Sequence, residues 1–135
     1  MQRSFLLDTC TLIDLDVVDL GEFADGLALV SAVTIGELAY GLDIGEASQR
    51  AARAHLLEDT LATYEVLSYG VEEAKLYGVL ATLVRAAGRN PRPRRLDLQI
   101  AATAAAARLP LLTCNPDDFR GVERLVDVVA VGRPA

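Results

Sequence analysis

Tryptophan is absent from this chain, histidine occurs once and cysteine twice. One His and two Cys do not make a zinc site of the usual nitrogen-and-sulfur kind. Any metal here is therefore held by carboxylates, which points to Mg²⁺ or Mn²⁺. Aromatic residues make up 5% of the chain, which argues against a module that binds by stacking bases on rings. No apolar run approaches the roughly 18 residues that a membrane span needs. A secretory leader is not evident either, since Asp8 falls where its apolar core would lie. These absences describe a cytoplasmic protein, with Cys10 and Cys114 as reduced thiols. Excess positive charge is lacking too. The formal net charge is −6, so a nucleic-acid ligand would need a local basic patch or a metal that neutralises phosphate.

What is present is apolar. Hydrophobic residues are 52% of a 135-residue chain, which is enough for one domain with one core, and disorder is not expected. Ser4 to Thr9 opens with Phe5, Leu6 and Leu7 running into Asp8. A continuous apolar run of this kind reads as a buried, parallel strand. A helical pattern begins at Leu12, and Gly21 and Gly26 punctuate a short helix or two. Leu27–Val30 is a second buried strand. Thr34–Leu42 reads as a helix, with Thr34 as N-cap and Glu37 completing a capping box, and with Ile35, Leu38, Ala39 and Leu42 along one face. Ala47–Tyr64 and Val71–Ala87 are longer helices around a short strand at Glu65–Leu67. Arg89–Arg95, with two prolines and four arginines, reads as an exposed loop with no regular element. Leu96–Arg108 is an Ala-rich helix suited to close packing on a sheet. Leu111–Leu112 and Asp127–Val131 are the last strands. No internal repeat and no linker interrupts residues 1–135. Strands alternating with helices predict a single α/β domain with a mostly parallel sheet of four to five strands and helices on both faces.

Four acids share one context in this layout. Asp8 follows the first strand, Glu37 lies in the helix after the second, Asp97 opens the Ala-rich helix, and Asp118 follows the Thr113–Asn115 turn, with Asp117 as its substitute. In a parallel sheet these positions fall on one edge, where ligands bind. Carboxylates converging there repel unless a cation lies between them, which is the physical case for a divalent metal. Each acid also has a plainer role: Asp8 as a helix cap, Glu37 in a capping box, Asp97 as a charge at a helix N-terminus, Asp118 as a turn residue.

The segments LLDTCTLI (6–13), SAVTIGELAYG (31–41), NPRPRRLDLQIAATA (90–104) and LLTCNPDDF (111–119) resemble, in order and spacing, the PIN-domain ribonucleases. Within that family the chain is similar to the VapC toxins of bacterial toxin–antitoxin pairs, and the likeness runs nearly end to end. The resemblance implies a PIN-like three-layer sandwich. It implies an endoribonuclease that uses Mg²⁺ or Mn²⁺ on RNA, tRNA or another structured RNA being the common target. By position, the family's acids fall on Asp8, Glu37 and Asp97. The fourth falls among Asn115, Asp117 and Asp118, with Asp118 preferred. Thr113, Asn115 and Thr9 would orient a carboxylate or the nucleophile. The implied chemistry is in-line hydrolysis of a phosphodiester, leaving a 5′-phosphate and a 3′-hydroxyl. The implied partners are a VapB-like antitoxin covering the active site and a second copy of the chain, giving a homodimer and, with antitoxin, a heterotetramer or larger. Helices around Ile35–Leu42 and Ala51–Leu61 would supply the antitoxin groove.

Two other readings compete. An aspartyl-phosphate phosphatase also begins with an apolar strand ending in Asp, but its second Asp would fall at position 10, which is Cys10. A non-catalytic PIN-fold module binding RNA or protein would have no need of the intact acidic set. Arg89, Arg92, Arg94 and Arg95 directly precede Asp97, which puts a basic rim beside the acids that is suited to an RNA backbone. Replacing Arg92 and Arg94 together with Ala is expected to weaken RNA binding and to flatten its dependence on salt. An unchanged salt slope in a filter-binding titration would dismiss the loop as an RNA contact.

Overall fold

The structure, a computed structural model, describes residues 2–132. Phe5, Leu6 and Leu7 have apolar side chains on alternating faces, and all three are fully buried. A strand with this pattern must be covered on both sides. It is β1 (Ser4–Leu7), the centre of a five-stranded sheet among the described residues. The others are β2 (Leu27–Ser31), β3 (Glu65–Leu67), β4 (Leu111–Thr113) and β5 (Val128–Ala130), in the order β3-β2-β1-β4-β5. Every pairing in this sheet is parallel.

Register sorts the side chains. Leu6 is paired with Leu29 on one side and Leu111 on the other. This row of leucines faces α4 (Val71–Ala86) and α5 (Arg95–Ala107), where Leu80, Val84, Leu98 and Ile100 complete one core. Phe5, Leu7, Val30 and Leu112 point to the opposite face. There they meet Leu12 of α1 (Thr9–Ile13), Leu38 of α2 (Ala32–Tyr40) and Leu56 and Leu57 of α3 (Ala47–Thr63). The alternation of β1 thus builds the three layers expected from the sequence. Ala101, Ala102 and Ala104 are fully buried on α5, and their small side chains bring that helix close to its neighbours. Among the described residues no helix is long and apolar enough to cross a membrane.

The chain leaves β1 to pair with β2 on one side. It returns from β3 to pair with β1 on the other side through β4. The direction of progression therefore reverses between β1 and β4. In parallel sheets the crevice outside the carboxyl ends at such a reversal is the ligand site.

Three sequence expectations need correction. The helix expected from Thr34 starts two residues earlier, at Ala32. Its N-cap is Ser31, whose Oγ accepts from Val33 N–H at 3.1 Å. Ser31 is the last residue of β2 and so already has the extended backbone a cap requires. Thr34 consequently lies buried inside the helix, Glu37 stands in its second turn, and Ala39 turns outward. The arginine segment is not wholly irregular. Arg92–Arg94 forms a 3₁₀ turn, with Arg94 N–H donating to Pro91 O at 3.0 Å, and α5 begins at Arg95. A proline at the start of such a turn has φ already set and no N–H to satisfy. The last helix residue is Ala107, and Arg108 takes the left-handed conformation that ends it.

Leu98 is fully buried one residue after Asp97. Leu98→Ala is expected to cost about 3 kcal/mol of stability through lost transfer energy and a residual cavity. Urea unfolding measures it, and a loss under about 1 kcal/mol would mean that α5 is not held through this contact.

Candidate active site

Asp8 follows β1 directly and is 2% exposed. A buried carboxylate needs donors on both oxygens. Oδ1 accepts from Thr11 N–H at 3.0 Å, which caps α1. Oδ2 accepts from the Thr113 hydroxyl at 2.7 Å, across the reversal between β1 and β4. The plain role of Asp8 as a cap and its placement at the ligand edge are therefore both real, and one residue carries both. Thr113 Oγ also accepts from Asn115 N–H at 2.9 Å, so it both donates to Asp8 and closes the turn after β4. Asn115 enters this network through its backbone, while its side chain is exposed. The two strand ends are tied a second time by Cys114 N–H donating to Thr11 Oγ at 3.0 Å.

Glu37 is brought to the same edge by α2. Thr9 donates its hydroxyl proton to Glu37 Oε1 at 2.7 Å. Thr9 and Thr34 hydroxyls are 3.0 Å apart. Since Thr9 has given its one proton to Glu37, Thr34 is the donor in that pair. Thr9 and Thr34 thus form a two-step relay that aims Glu37. The sequence reading missed Thr34 and Thr11 as positioning residues. Thr34 was mistaken for the cap because Thr34–Glu37 has the capping-box spacing.

Asp97 stands in the first turn of α5, half-buried. Its pKa is pushed up to about 6, first by burial and then by the charges of Asp118, Asp8 and Glu37, with Arg94 pulling it down. A second group registers the same acids. The Cys10 thiol is pushed up by burial and then by Asp8, Asp97, Asp118 and Glu37. Cys10 thus feels four carboxylates, and Asp97, one of the four, feels the other three; Asp117 is in neither set. Asp117 is exposed and pairs with Arg120 and, at 3.7 Å, with Arg89. Asp118 is half-buried and pairs with Arg94. Both lie in one 3₁₀ turn, Pro116–Phe119, anchored by buried Phe119.

The four acids share an edge without closing on one point. Among the described residues, no three acidic, cysteine or histidine side chains stand close enough to hold one ion as they are placed. Each carboxylate has its own tether instead: Thr11 and Thr113 for Asp8, Thr9 for Glu37, Arg94 for Asp118.

The arginine segment divides in two. Arg89 is occupied by Asp117, donating to its carbonyl oxygen at 2.9 Å, and Arg94 by Asp118. Arg92 and Arg95 are exposed, and among the described residues neither pairs with a carboxylate. Together with Pro93 and Leu96 they line a cleft that Glu37 and Asp97 also line. Beyond Glu37 and Leu96 the surface turns apolar, with Val33, Gly36 and Tyr40.

Comparison with known proteins places this architecture. The chain is similar to a member of the VapBC family of toxin–antitoxin systems from Mycobacterium tuberculosis. That match has a TM-score of 0.77 at 29% identity and covers 96% of this chain and 98% of that one. It shares its fold with VapBC2 from Rickettsia felis, solved bound to a DNA fragment from the promoter, at a TM-score of 0.71 and 19% identity over 95% of this chain and 98% of that one. In sequence it is 28% identical over 104 residues to a ribonuclease VapC of Rickettsia bellii, covering 73% of this chain and 72% of that protein. The PIN domain family matches residues 5–125. With a parallel sheet reversing at β1 and β4 and four acids on its carboxyl edge, this chain belongs to the PIN domain family.

Proposed function

We propose that this protein is a divalent-metal-dependent endoribonuclease, the toxin of a toxin–antitoxin pair. The observation that carries this reading is the gathering of Asp8, Glu37, Asp97 and Asp118 at the carboxyl edge of the sheet, close enough that the other three acids add to burial in raising Asp97. A half-buried acid pushed up to about 6, first by burial and then by three other acids, is a site that favours a cation. The donor set fits Mg²⁺ or Mn²⁺, since carboxylate and hydroxyl oxygens face the edge. The thiol of Cys10 is raised in pKa, stays protonated at neutral pH and is a poor ligand. The similarity to a ribonuclease VapC supports RNA as the substrate, and tRNA or another structured RNA is the target class we propose.

Asp8 and Asp97 would hold the ion, with Glu37 and Asp118 completing the set directly or through water. When bound, the ion would supply Lewis acidity suited to activating water and to offsetting charge on the phosphate. The remaining work falls to the chain. Thr11 N–H and the Thr113 hydroxyl fix the Asp8 side chain by one hydrogen bond to each of its carboxyl oxygens. Thr9, itself fixed by Thr34, holds Glu37 at an orientation from which it can accept a proton from water. Arg92 and Arg95 line the approach and would neutralise backbone phosphates flanking the cut.

A VapB-like antitoxin is the proposed partner, with a homodimer of this chain as the core of the complex. Two surface features support it. Leu12, Ile13, Leu15, Leu56 and Tyr64 line a cleft between α1 and α3, and Tyr40 on α2 is 81% exposed beside an apolar hollow. Leu56 and Tyr40 fall on the helices that the resemblance assigns to a groove, while Leu12, Ile13 and Leu15 come from α1 and the turn after it.

RNA cleavage is expected with Mg²⁺ or Mn²⁺ and is expected to stop with EDTA. Asp8→Asn should lower the rate by at least about a hundredfold, the scale of losing a charged group that stabilises the transition state. Cleavage that survives both treatments sinks the metallonuclease reading, and RNA binding without cleavage by the wild type favours a non-catalytic module.

The raised pKa of Asp97 also bears on stability. Its folded value, about 6, lies above the ordinary value of 3.8. The folded state therefore binds the proton more tightly, and in the metal-free protein this group lowers stability as pH rises from about 4 to about 6. Asp97→Asn is expected to raise metal-free stability at pH 7 by about 1 kcal/mol, discounted because the group is only half-buried. Thermal melts at pH 7 and pH 4 check this. The gain should vanish at pH 4, and a gain of equal size at both values refutes the electrostatic origin.

A further inference from the structure

Arg94 stands where a cation is wanted. Its guanidinium pairs with Asp118 Oδ1, and both side chains are about two-thirds to three-quarters buried, at 33% and 27% exposed. It is also the one charge that pulls Asp97 down while three acids push it up. Yet Arg94 has no structural duty in the helix it precedes. It occupies the N-cap position of α5 without making a side-chain cap bond. Its neighbours in the same segment differ. Arg89 is spent on the loop through Asp117 and backbone carbonyls, and Arg92 and Arg95 face the cleft. Asp118 is thus held by a monovalent, flexible cation within the very set that repels itself.

We propose that Arg94 is a built-in counter-cation that competes with the divalent ion for Asp118, so that metal arrival and release of Arg94 into the cleft of Arg92 and Arg95 are one coupled step. This rests on the metallonuclease reading and adds a positioning role to it. In the metal-free protein Arg94 keeps the acidic edge from repelling itself apart. With metal present, the same guanidinium becomes the third free arginine on the approach, at the moment when phosphate can be used. The exchange is a swap of ionic partners. It asks Asp118 to change partner and Arg94 to rotate about its long stem, with no rearrangement of the backbone.

The test reads metal binding rather than turnover. Mn²⁺ affinity is measured by calorimetry on the wild type, Arg94→Gln and Arg92→Gln, the last making the same charge change in the same segment without an ion-pair partner. Arg94→Gln is expected to tighten Mn²⁺ binding about fivefold or more, and Arg92→Gln by less than about twofold, because only the former frees a carboxylate. In an Asp118→Asn background the Arg94→Gln effect should fall to that of Arg92→Gln. Equal effects of the two arginine variants, or an Arg94 effect that persists without the Asp118 carboxylate, overturn the proposal. A second measurement needs no variant to fold perfectly. In the ¹⁵N spectrum of the arginine side chains, the Arg94 Nη–H signals, assigned by their loss in Arg94→Gln, should lose protection from exchange when Mg²⁺ is added. Unchanged protection at saturating Mg²⁺ overturns it as well. A wild type that binds neither ion overturns the metal reading and this proposal together, whereas normal wild-type binding with no response to Arg94→Gln overturns this proposal alone.

Discussion

The structure depends on how one buried carboxylate is satisfied. Asp8 ends the central strand, is almost wholly removed from water, and has no cation touching it among the described residues. Such a group is tolerated only when hydrogen bonds replace its hydration. Thr11 N–H and the Thr113 hydroxyl do that, and in doing so they fix three things at once: the start of α1, the alignment of β1 with β4, and the path of the turn after β4. The crevice at the reversal of the sheet is therefore pinned by the same bonds that orient its first acid. Removing that acid's partners would loosen fold and site together.

Around this post the protein gathers negative charge that the fold itself does not need. The cost is visible at Asp97 and Cys10, both pushed toward their protonated forms first by burial and then by these neighbours. The compensation is local. Hydroxyls of Thr9 and Thr113 hold two acids, and Arg94 holds a third. The exposed arginines, Arg92 and Arg95, line one cleft with Glu37 and Asp97, so positive charge is concentrated beside the acids.

Much of this was legible in the residues. The apolar run Phe5–Leu7 could only be a strand covered on both faces, and the leucines at 29 and 111 that flank Leu6 belong to similar runs. The long helices α3 and α4 followed from periodicity and glycine stops, and they differ from expectation by no more than one residue at an end. The position of four acids relative to predicted elements was enough to collect them on one edge, because a parallel sheet places every strand's carboxyl end on the same side. The cap of α2 was not legible. Ser31 and Thr34 both have capping chemistry, and the choice turned on where β2 stops pairing: Ser31 still pairs with Leu67 and so has the extended backbone.

What the sequence determined by itself was the class of fold and the identity of most of the acids, since both follow from local periodicity and chain order. What only the tertiary structure decided was which neighbour faces the site and which cation each acid meets. Asp117 and Asp118 are adjacent in sequence and chemically identical. In a 3₁₀ turn successive side chains point about 120° apart, so the anchoring of Phe119 in the core sends Asp118 toward Asp97 and leaves Asp117 among Arg89 and Arg120. Arg94 and Asp118 are separated by 24 residues, and no local rule pairs them. They meet because α5 and the turn after β4 pack on the same face of the sheet, a contact that exists only once the core has formed.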